Sequence, residues 1–539
     1  MPKLFYPDFF NDVFGPVMQP GSSGSFAGTS RVGRIARHVL SSAPKRVRIL
    51  FNPAGNHLLN LGNMMDDRGY LGGLQDFATD DVRLFSAHEL ARKAGISYAF
   101  GELEKDNRWP GSVTFFLEGK DGEKGSLVAQ SVGGGMVCTY EINGFPVIWQ
   151  ADTYAVLIWD TDGPSPSWEE SFGDSLDQVS EAKDHEGRNA WFLEFSEPPK
   201  KEKIVSLFGS GVSFRFFPAL LPVVTTTGRK PQLFRTVEEW RDVAKERNIS
   251  FVQAAIQYEK DFSGWDEARI WAYFEHIASI LDDQIHSLER IGYDNAKDTP
   301  NLPIYGKEWN RYQKQGKVLE DSLTARIITY AMATNAKIPG VKIVPGPMGT
   351  GGGYLFSALR AVQESRGYSH QQLLDGLVVA AGIGALAFTH AHTSGESGCV
   401  GESGVCCAMA SAAVTAMAGG DGVAVEHAAS MALMANMGIP CDPIPGGKEF
   451  PCLTRTVRAA VTAPLYADLA LSGIDPLVPY HEVLQAIEVH RKETPACQLC
   501  GPLCGINITR TAKQCQQFLQ GDLMAGKLEY EAQEEKEHA

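Results

Sequence analysis

TSGESGCVGESGVCCAMASAA, residues 393–413, runs from a glycine- and serine-rich turn into an unbroken series of small and apolar side chains. Val405 to Met417 is rich in small residues and reads as an apolar Ala/Met helix. The same composition returns in Ala424 to Met437 and in Thr456 to Ser472, with Gly438 as a helix stop. Helices so rich in Ala, Gly and Ser let their backbones approach closely, which predicts a tight helical bundle. Working back from it, Val237 to Arg247, Asp266 to Ile291 and Lys317 to Thr334 carry apolar residues at helical spacing. Asp294 to Pro303 reads as a loop, and Pro345 to Gly353 (PGPMGTGGG) as a break. The longest apolar run, Leu377 to Phe388, is too short to cross a bilayer and reads as a buried helix.

The first 150 residues alternate between strand and helix patterns, with strands at Val47 to Phe51, Ser112 to Leu117 and Met136 to Ile142. Ala87 to Ala94 predicts a helix, and Gly133 to Gly135 punctuates the chain before the last of those strands. Residues 151–220 hold two strand patterns, Tyr154 to Trp159 and Ala190 to Phe195, with a polar, acidic stretch between them. Lys200, Lys201 and Lys203 after Pro198-Pro199 read as a surface turn. The chain therefore predicts an α+β multidomain protein. An α/β domain occupies 1–150, a small module 151–225 and a helical domain 226–520, followed by a charged tail at 521–539.

At 539 residues the chain is long enough for several domains with cores of their own. It carries 49 Lys and Arg against 64 Asp and Glu, a formal charge of −15. That balance repels nucleic-acid phosphates and anionic lipid. The one basic cluster, Arg31 to Arg37, spaces its arginines like the solvated face of a helix. The N-terminus, MPKLFYPDFF, lacks the basic-then-apolar pattern of a signal peptide. The expectation is a cytoplasmic protein with no nucleic-acid or membrane partner.

Of the ten cysteines, Cys138 stands alone and the other nine lie between Cys399 and Cys515. In a reducing compartment such clustering points to metal binding or redox chemistry rather than to disulfides. Cys399, Cys441 and Cys452 occupy Gly/Pro-rich surroundings at helix boundaries, yet their spacing is neither that of a zinc ribbon nor that of a ferredoxin. On the residues alone they are either ligands or buried structural thiols. Cys406 and Cys407, on the apolar helix, read as core.

The words around these cysteines carry a resemblance. TSGESGCVGESGVCCAMASAA, NMGIPCDPIPGG (436–447) and FPCLTR (450–455) resemble the three cluster segments of the iron–sulfur L-serine dehydratase family. FGPVMQPGSSGSFAGTSRVGRIAR (14–37) and SVGGGMVCTYEINGF (131–145) resemble that family's β domain, and the chain from Phe234 onward resembles its α chain, including Lys492-Glu493-Thr494. The resemblance implies a β–α fusion: an N-terminal α/β domain of the β type, a degenerate ACT-like module at 151–225 and an all-α iron–sulfur domain. It further implies a homodimer and a [4Fe–4S] cluster held by Cys399, Cys441 and Cys452. Three thiolates on four irons leave one iron open as a Lewis acid for a departing hydroxide. A base removes the α-proton, and the resulting aminoacrylate tautomerises to an imine that water hydrolyses to a 2-oxo acid and ammonia. Such chemistry needs no redox partner, and no lysine motif for pyridoxal phosphate is present.

On the substrate side the sequence departs from the family. The Ser-Ser-Ser-His-Thr run is Ser22-Ser23-Gly24-Ser25-Phe26, and Gly-His-Gly-Thr-Asp is Gly62-Asn63-Met64-Met65-Asp66. The Pro-Thr-(Ala/Asn)-Gly loop aligns with Gly346-Pro347-Met348-Gly349, and Thr456 replaces an Asn. Losing hydrogen-bonding groups weakens a site built for serine, so a larger or more apolar β-substituted amino or hydroxy acid is expected, fitting Phe26 and Met348. Ser22, Ser23 and Ser25 with His390 and Glu402 are the expected catalytic groups. Met348, Gly349, Thr350, Ser394 and Gly395 are the expected substrate contacts.

Alternatives stay open at several of these positions. His390 is a replacement base or a helix-end histidine bonded to backbone. Glu402 is a base or orienting group, or a carboxylate capping the helix at Val405. The glycine run 349–353 fits no P-loop or dinucleotide pattern and reads as close backbone approach to substrate or cluster. Cys497, Cys500 and Cys504 stand where the family has no thiols. One of them, or Cys515, is a fourth iron ligand; otherwise the group forms a separate metal site, a reversible disulfide, or nothing of the kind. Two further functions compete with the lyase: a cysteine-desulfidase-like or sulfur-transfer protein, favoured by the extra thiols, and a pseudoenzyme or regulatory subunit that binds an amino acid without turning it over.

Overall fold

The computed structural model describes residues 5–54, 61–62, 64–105, 108–160, 167–208, 212–296, 303–347, 349–393, 397–444, 450–495 and 505–515. They form two compact units, one built from Phe5 and Gly24–Arg229, the other from Tyr6–Ser23 and the chain from Lys230 onward.

In the first unit, β1 (Pro44–Phe51), β2 (Ser97–Glu102), β3 (Val113–Gly119), β4 (Lys124–Gly133), β5 (Met136–Ile142) and β6 (Phe145–Trp149) make a sheet in the order β2-β1-β3-β4-β5-β6. The β1–β2 pair is parallel, bridged by helices Asp66–Leu74 and Ala87–Lys93; the remaining pairs are antiparallel. Strand residues alternate faces, so Val47, Ile49 and Phe51 of β1 and Val113, Phe115 and Leu117 of β3 share one buried side. Helix Thr29–Val39 covers that side with Val32, Ile35 and Ala36. It lies hard against helix Asp66–Leu74 because Gly33 has no side chain: a β-carbon there would sit 2.3 Å from Tyr70 O. The arginines of this helix are not the solvated face expected from their spacing. Arg31 is only 2% exposed, and its Nη1 donates to Gly135 O at 2.6 Å. The turn Gly133–Gly135, with φ positive at all three residues, presents a carbonyl to a buried guanidinium whose stem packs as hydrocarbon.

The second sheet of this unit contains β7 (Tyr154–Trp159), β8 (Leu176–Lys183), β9 (Asn189–Phe195) and β10 (Ser213–Phe217) in the order β10-β7-β9-β8, all antiparallel. With helices Trp168–Phe172 and Lys201–Phe208 between strands, the chain traces β-α-β-β-α-β, the split βαβ arrangement. Two expectations are corrected here. The acidic stretch contains an edge strand, β8, whose residues are mostly half-exposed and so lack an apolar alternation. The lysines after Pro198-Pro199 open a helix rather than a turn. They face solvent while Ile204 enters the core with Val156 and Leu193, and prolines precede helices as readily as turns.

The second unit is helical. Its central helix, Val405–Met417, is buried along nearly its whole length and packs on helices His370–His390, Gly422–Met434, Cys452–Leu471 and Gly351–Arg366. Ser411 and Thr415 are tolerated inside because each hydroxyl donates to the carbonyl one turn back, at 2.7 and 2.8 Å. His370–His390 and Val400–Met417 are long and apolar enough to cross a bilayer by composition, whereas the apolar run read from sequence was too short. The fold buries 78% and 89% of their apolar windows. Residues Tyr6–Ser23 belong to this unit although they interrupt the first in sequence. Phe9 N–H donates to Glu259 at 2.9 Å, the Phe9 ring stacks on Tyr258, and Met18 pairs with Ile343 in an antiparallel bridge.

Candidate active site

Three short contacts bring the cysteine segments of the helical unit into one neighbourhood. Cys399 precedes a single wide turn, Val400–Gly404, that runs into the central helix. Its N–H donates to Ile439 O at 2.9 Å, two residues before Cys441. Cys452 is the first residue of helix Cys452–Leu471, and Arg455 follows it by about one turn. Arg455 Nη1 donates to Pro440 O at 2.7 Å and to Asp442 Oδ1 at 2.6 Å, one residue on each side of Cys441. The guanidinium therefore clips the Cys441 loop to the start of the Cys452 helix. Asp442, with its side chain 3% exposed, also accepts Ile506 N–H at 2.6 Å through Oδ2, and Asn507 Nδ2 donates to Pro443 O at 3.0 Å. The turn Gly505–Ile508 is thereby fixed to the same loop.

The electrostatics follow from this layout. Burial raises the Cys399 thiol pKa and the Glu402 carboxylate adds to it, while the Ser403 hydroxyl at 3.0 Å and Arg455 oppose them. Burial works against the charge on Arg455, but Asp442, Cys399 and Cys452 together hold it more firmly protonated than an ordinary arginine. Among the described residues no three His, Cys, Asp or Glu side chains gather as a site for a single ion.

A second set of contacts joins the loops expected to hold substrate. A β-carbon on Gly349 would lie 2.1 Å from Gly21 O and 3.0 Å from Ser23 N, so Gly349 rests directly on the Gly21–Ser23 backbone. Ser23 and Thr350 are buried. Gly351 O accepts Cys406 Sγ at 3.2 Å, which ties this loop to the helix that continues from Cys399. Ser22, Ser23, Gly349, Thr350 and the cysteine helix are thus neighbours within one unit. Cys406 and Cys407 are both core, as expected, the latter beside Thr462 Oγ1 at 3.5 Å.

The remaining expected groups make other contacts. His390 ends its helix with Nε2 2.6 Å from Arg235 O and its ring 5.8 Å from that of His481, and burial lowers its pKa. That is the backbone-bonded arrangement of the structural alternative, and neither partner belongs to a cysteine loop. Thr456 donates to Cys452 O and Leu453 O, so its hydroxyl is spent on its own helix. Ser25 and Phe26 lie in the first unit. Ser25 O accepts Thr29 Oγ1 at 2.7 Å. Phe26 is 1% exposed with its ring edge-on to Phe85, so it fills core and does not line an open pocket for a larger substrate. Met348, Ser394, Gly395, Cys497, Cys500 and Cys504 lie outside the described residues; Cys515 is half-buried.

Sequence reading missed Arg455 and Asp442, although Arg455 sits one helical turn from Cys452 in a quoted segment. It also missed a network in the first unit. His88 Nε2 meets Asp67 Oδ2 at 2.6 Å and His88 Nδ1 meets Tyr98 OH at 2.7 Å. Against burial, His88 holds Asp67 below the usual carboxylate range. Its neighbour Asp66 accepts Gly62 N–H at 2.7 Å but is pushed up to about 8 by burial and by Asp67. A carboxyl whose folded pKa lies above its unfolded value of 3.8 keeps a proton that the unfolded chain has released. Its contribution is complete below about pH 4 and declines as pH rises toward 8. Asp66→Asn, which mimics the protonated acid, is expected to match wild type in denaturant melts at pH 4. At pH 8 it should be more stable by at least about 1.4 kcal/mol. A difference that does not change with pH refutes this.

The profile of the family described as serine dehydratase alpha chain matches residues 243–496. The L-serine dehydratase alpha chain of Peptoniphilus asaccharolyticus is 28% identical over 257 residues, 47% of this chain and 87% of that one. The beta chain from the same organism is 29% identical over 148 residues, 27% of this chain and 66% of its own length. The L-serine dehydratase of Streptomyces coelicolor is 35% identical over 246 residues, 44% of this chain and 53% of that protein.

Proposed function

The chain belongs to the L-serine dehydratase family, and on that premise we propose that it is a hydro-lyase acting through a [4Fe–4S] cluster held by Cys399, Cys441 and Cys452. The observation that carries this reading is the pair of contacts, Cys399 N–H to Ile439 O and Arg455 to Pro440 O and Asp442, that gathers three cysteine segments distant in sequence. The donor set suits the group. A polynuclear cluster takes each thiolate on a different iron, so its ligands need not converge on one point as they must for a single ion. Two of the three thiols are buried, two begin helical turns whose dipoles favour thiolate, and a guanidinium stands beside them. When bound, the cluster would supply a Lewis acid for the leaving oxygen.

The chain's own residues do the rest. Ser22 and Ser23, backed by Gly349 and Thr350, form the polar wall on which a small amino or hydroxy acid is held. Glu402, beside Cys399, receives the α-proton on its carboxylate. Burial of the loops keeps bulk water from the reacting carbon. The turn Gly505–Ile508 on Asp442 supports a fourth-ligand role for Cys504, which precedes it, ahead of Cys497 or Cys500. The split βαβ sheet supports an ACT-like module at 151–225.

With Phe26 sealed in core, the ground for a substrate larger than serine is the loss of the family's histidines at Ser25 and Asn63. The test is iron and acid-labile sulfide analysis of anaerobically purified protein, followed by ammonia and 2-oxo acid assays over β-hydroxy amino acids. About four irons and four sulfides per chain are expected, with L-serine turned over more slowly than a bulkier acid. A folded, metal-free protein would remove the lyase reading, and L-serine as the best substrate would remove the proposed preference.

A further inference from the structure

Helix Gly351–Arg366 begins inside the protein. Its first three residues are buried glycines, and Thr350 at its N-cap makes no side-chain bond to the first turn. The leading amides of a helix have no acceptor within it, and its dipole is positive at that end. The bare α-carbons let neighbouring chain close on this turn: a β-carbon on Gly352 would sit 2.3 Å from Val344 O.

The end of helix Glu267–Ile285 lies against this turn. A β-carbon on Gly353 would sit 2.6 Å from Gln284 Oε1 and 2.7 Å from its Nε2, so the amide of Gln284 lies on the bare α-carbon. Gln284 is 1% exposed, and neither atom of its amide has a hydrogen-bond partner among the described residues. A buried amide without a partner is costly, and native interiors rarely leave one. An uncapped buried helix start and an orphaned buried amide thus meet at one place, and both can donate to the same anion.

We propose that the amides of Gly351–Gly353 and Gln284 Nε2 form a carboxylate site that holds the α-carboxylate of the substrate. The inference deepens the lyase reading and rests on it only for which carboxylate enters. The position fits: Gly349, two residues earlier, rests on Ser23, and Gly351 O receives Cys406 Sγ from the cysteine helix. A carboxylate fixed here leaves the α-carbon and its β-substituent to the serine wall and the cysteine loops. Gln284 is then a binding residue that sets orientation, and its loss raises KM more than it lowers kcat.

The cluster-loaded protein is titrated by calorimetry with L-serine, L-threonine and L-lactate and with their primary amides. Wild type is expected to bind at least one acid, and to bind the matching amide at least about tenfold more weakly. Gln284→Met, close to glutamine in shape, should weaken the acid about ten- to hundredfold and leave the amide unchanged. Gln284→Glu, which sets a second carboxylate against the first, should weaken the acid further. Melting curves establish that each variant is folded, and either folded variant suffices. Equal affinity for acid and amide in wild type, no binding of any acid, or unchanged acid binding in a folded variant overturns the proposal. Ammonia release is followed separately. An acid bound with this pattern but never turned over refutes the lyase reading and leaves the carboxylate site standing.

Discussion

Cys441→Ala is expected to yield a folded protein that has lost its iron and sulfide and eliminates nothing measurable. Losing even an outer partner of a metal site costs tenfold to a hundredfold, so a fall in turnover beyond about a hundredfold is the lower bound for a ligand. Cys441 is 8% exposed, in a loop pinned on both sides of it by Arg455. Removing one sulfur therefore leaves the backbone held, and the loss falls on the cluster rather than on the fold. Cys407→Ala is the control. Cys407 is fully buried in the central helix, and its truncation should cost about 1 kcal/mol of stability through lost packing with the metal content intact. Iron content that survives Cys441→Ala, or disappears equally with Cys407→Ala, would break the assignment.

Arg455→Leu should act on both the fold and the site. It strands Asp442, whose side chain is 3% exposed and keeps only the Ile506 N–H among the contacts described above. Breaking a buried pair from one side costs about 3–5 kcal/mol. Since Arg455 is itself 17% exposed, the lower end, about 3 kcal/mol, is the expected value. The same change frees the Cys441 loop from the Cys452 helix and removes the positive charge beside the thiols, so cluster occupancy should fall with it. Arg455→Leu combined with Asp442→Asn should recover part of the stability without recovering the cluster, because the amide no longer carries a buried charge yet cannot rebuild the clip. Denaturant melts and iron analysis on the three proteins separate the two effects. Full occupancy in Arg455→Leu would show that the clip is dispensable.

The local elements were legible because their information is local. Val405–Met417, Met136–Ile142 and Tyr154–Trp159 have the bounds that their apolar patterns predict, each pattern being the imprint of a buried face with period 3.6 or 2. Elements with weak faces escaped, as the half-exposed edge strand Leu176–Lys183 did. The wording around Cys399, Cys441 and Cys452 points to the family, since a resemblance in segment wording does not depend on how the segments meet. Partnership across the chain was another matter. Nothing in Arg31's spacing shows that Gly135 O will receive it, or that Phe26 will be sealed against Phe85. Nor does spacing place Tyr6–Ser23 among helices that begin more than two hundred residues later. The same holds for the Arg455 clip and for the glycine turn against Gln284. Periodicity records whether a side chain is buried; only the tertiary fold, which sets a carbonyl, a carboxylate or a bare α-carbon opposite it, decides what it meets there.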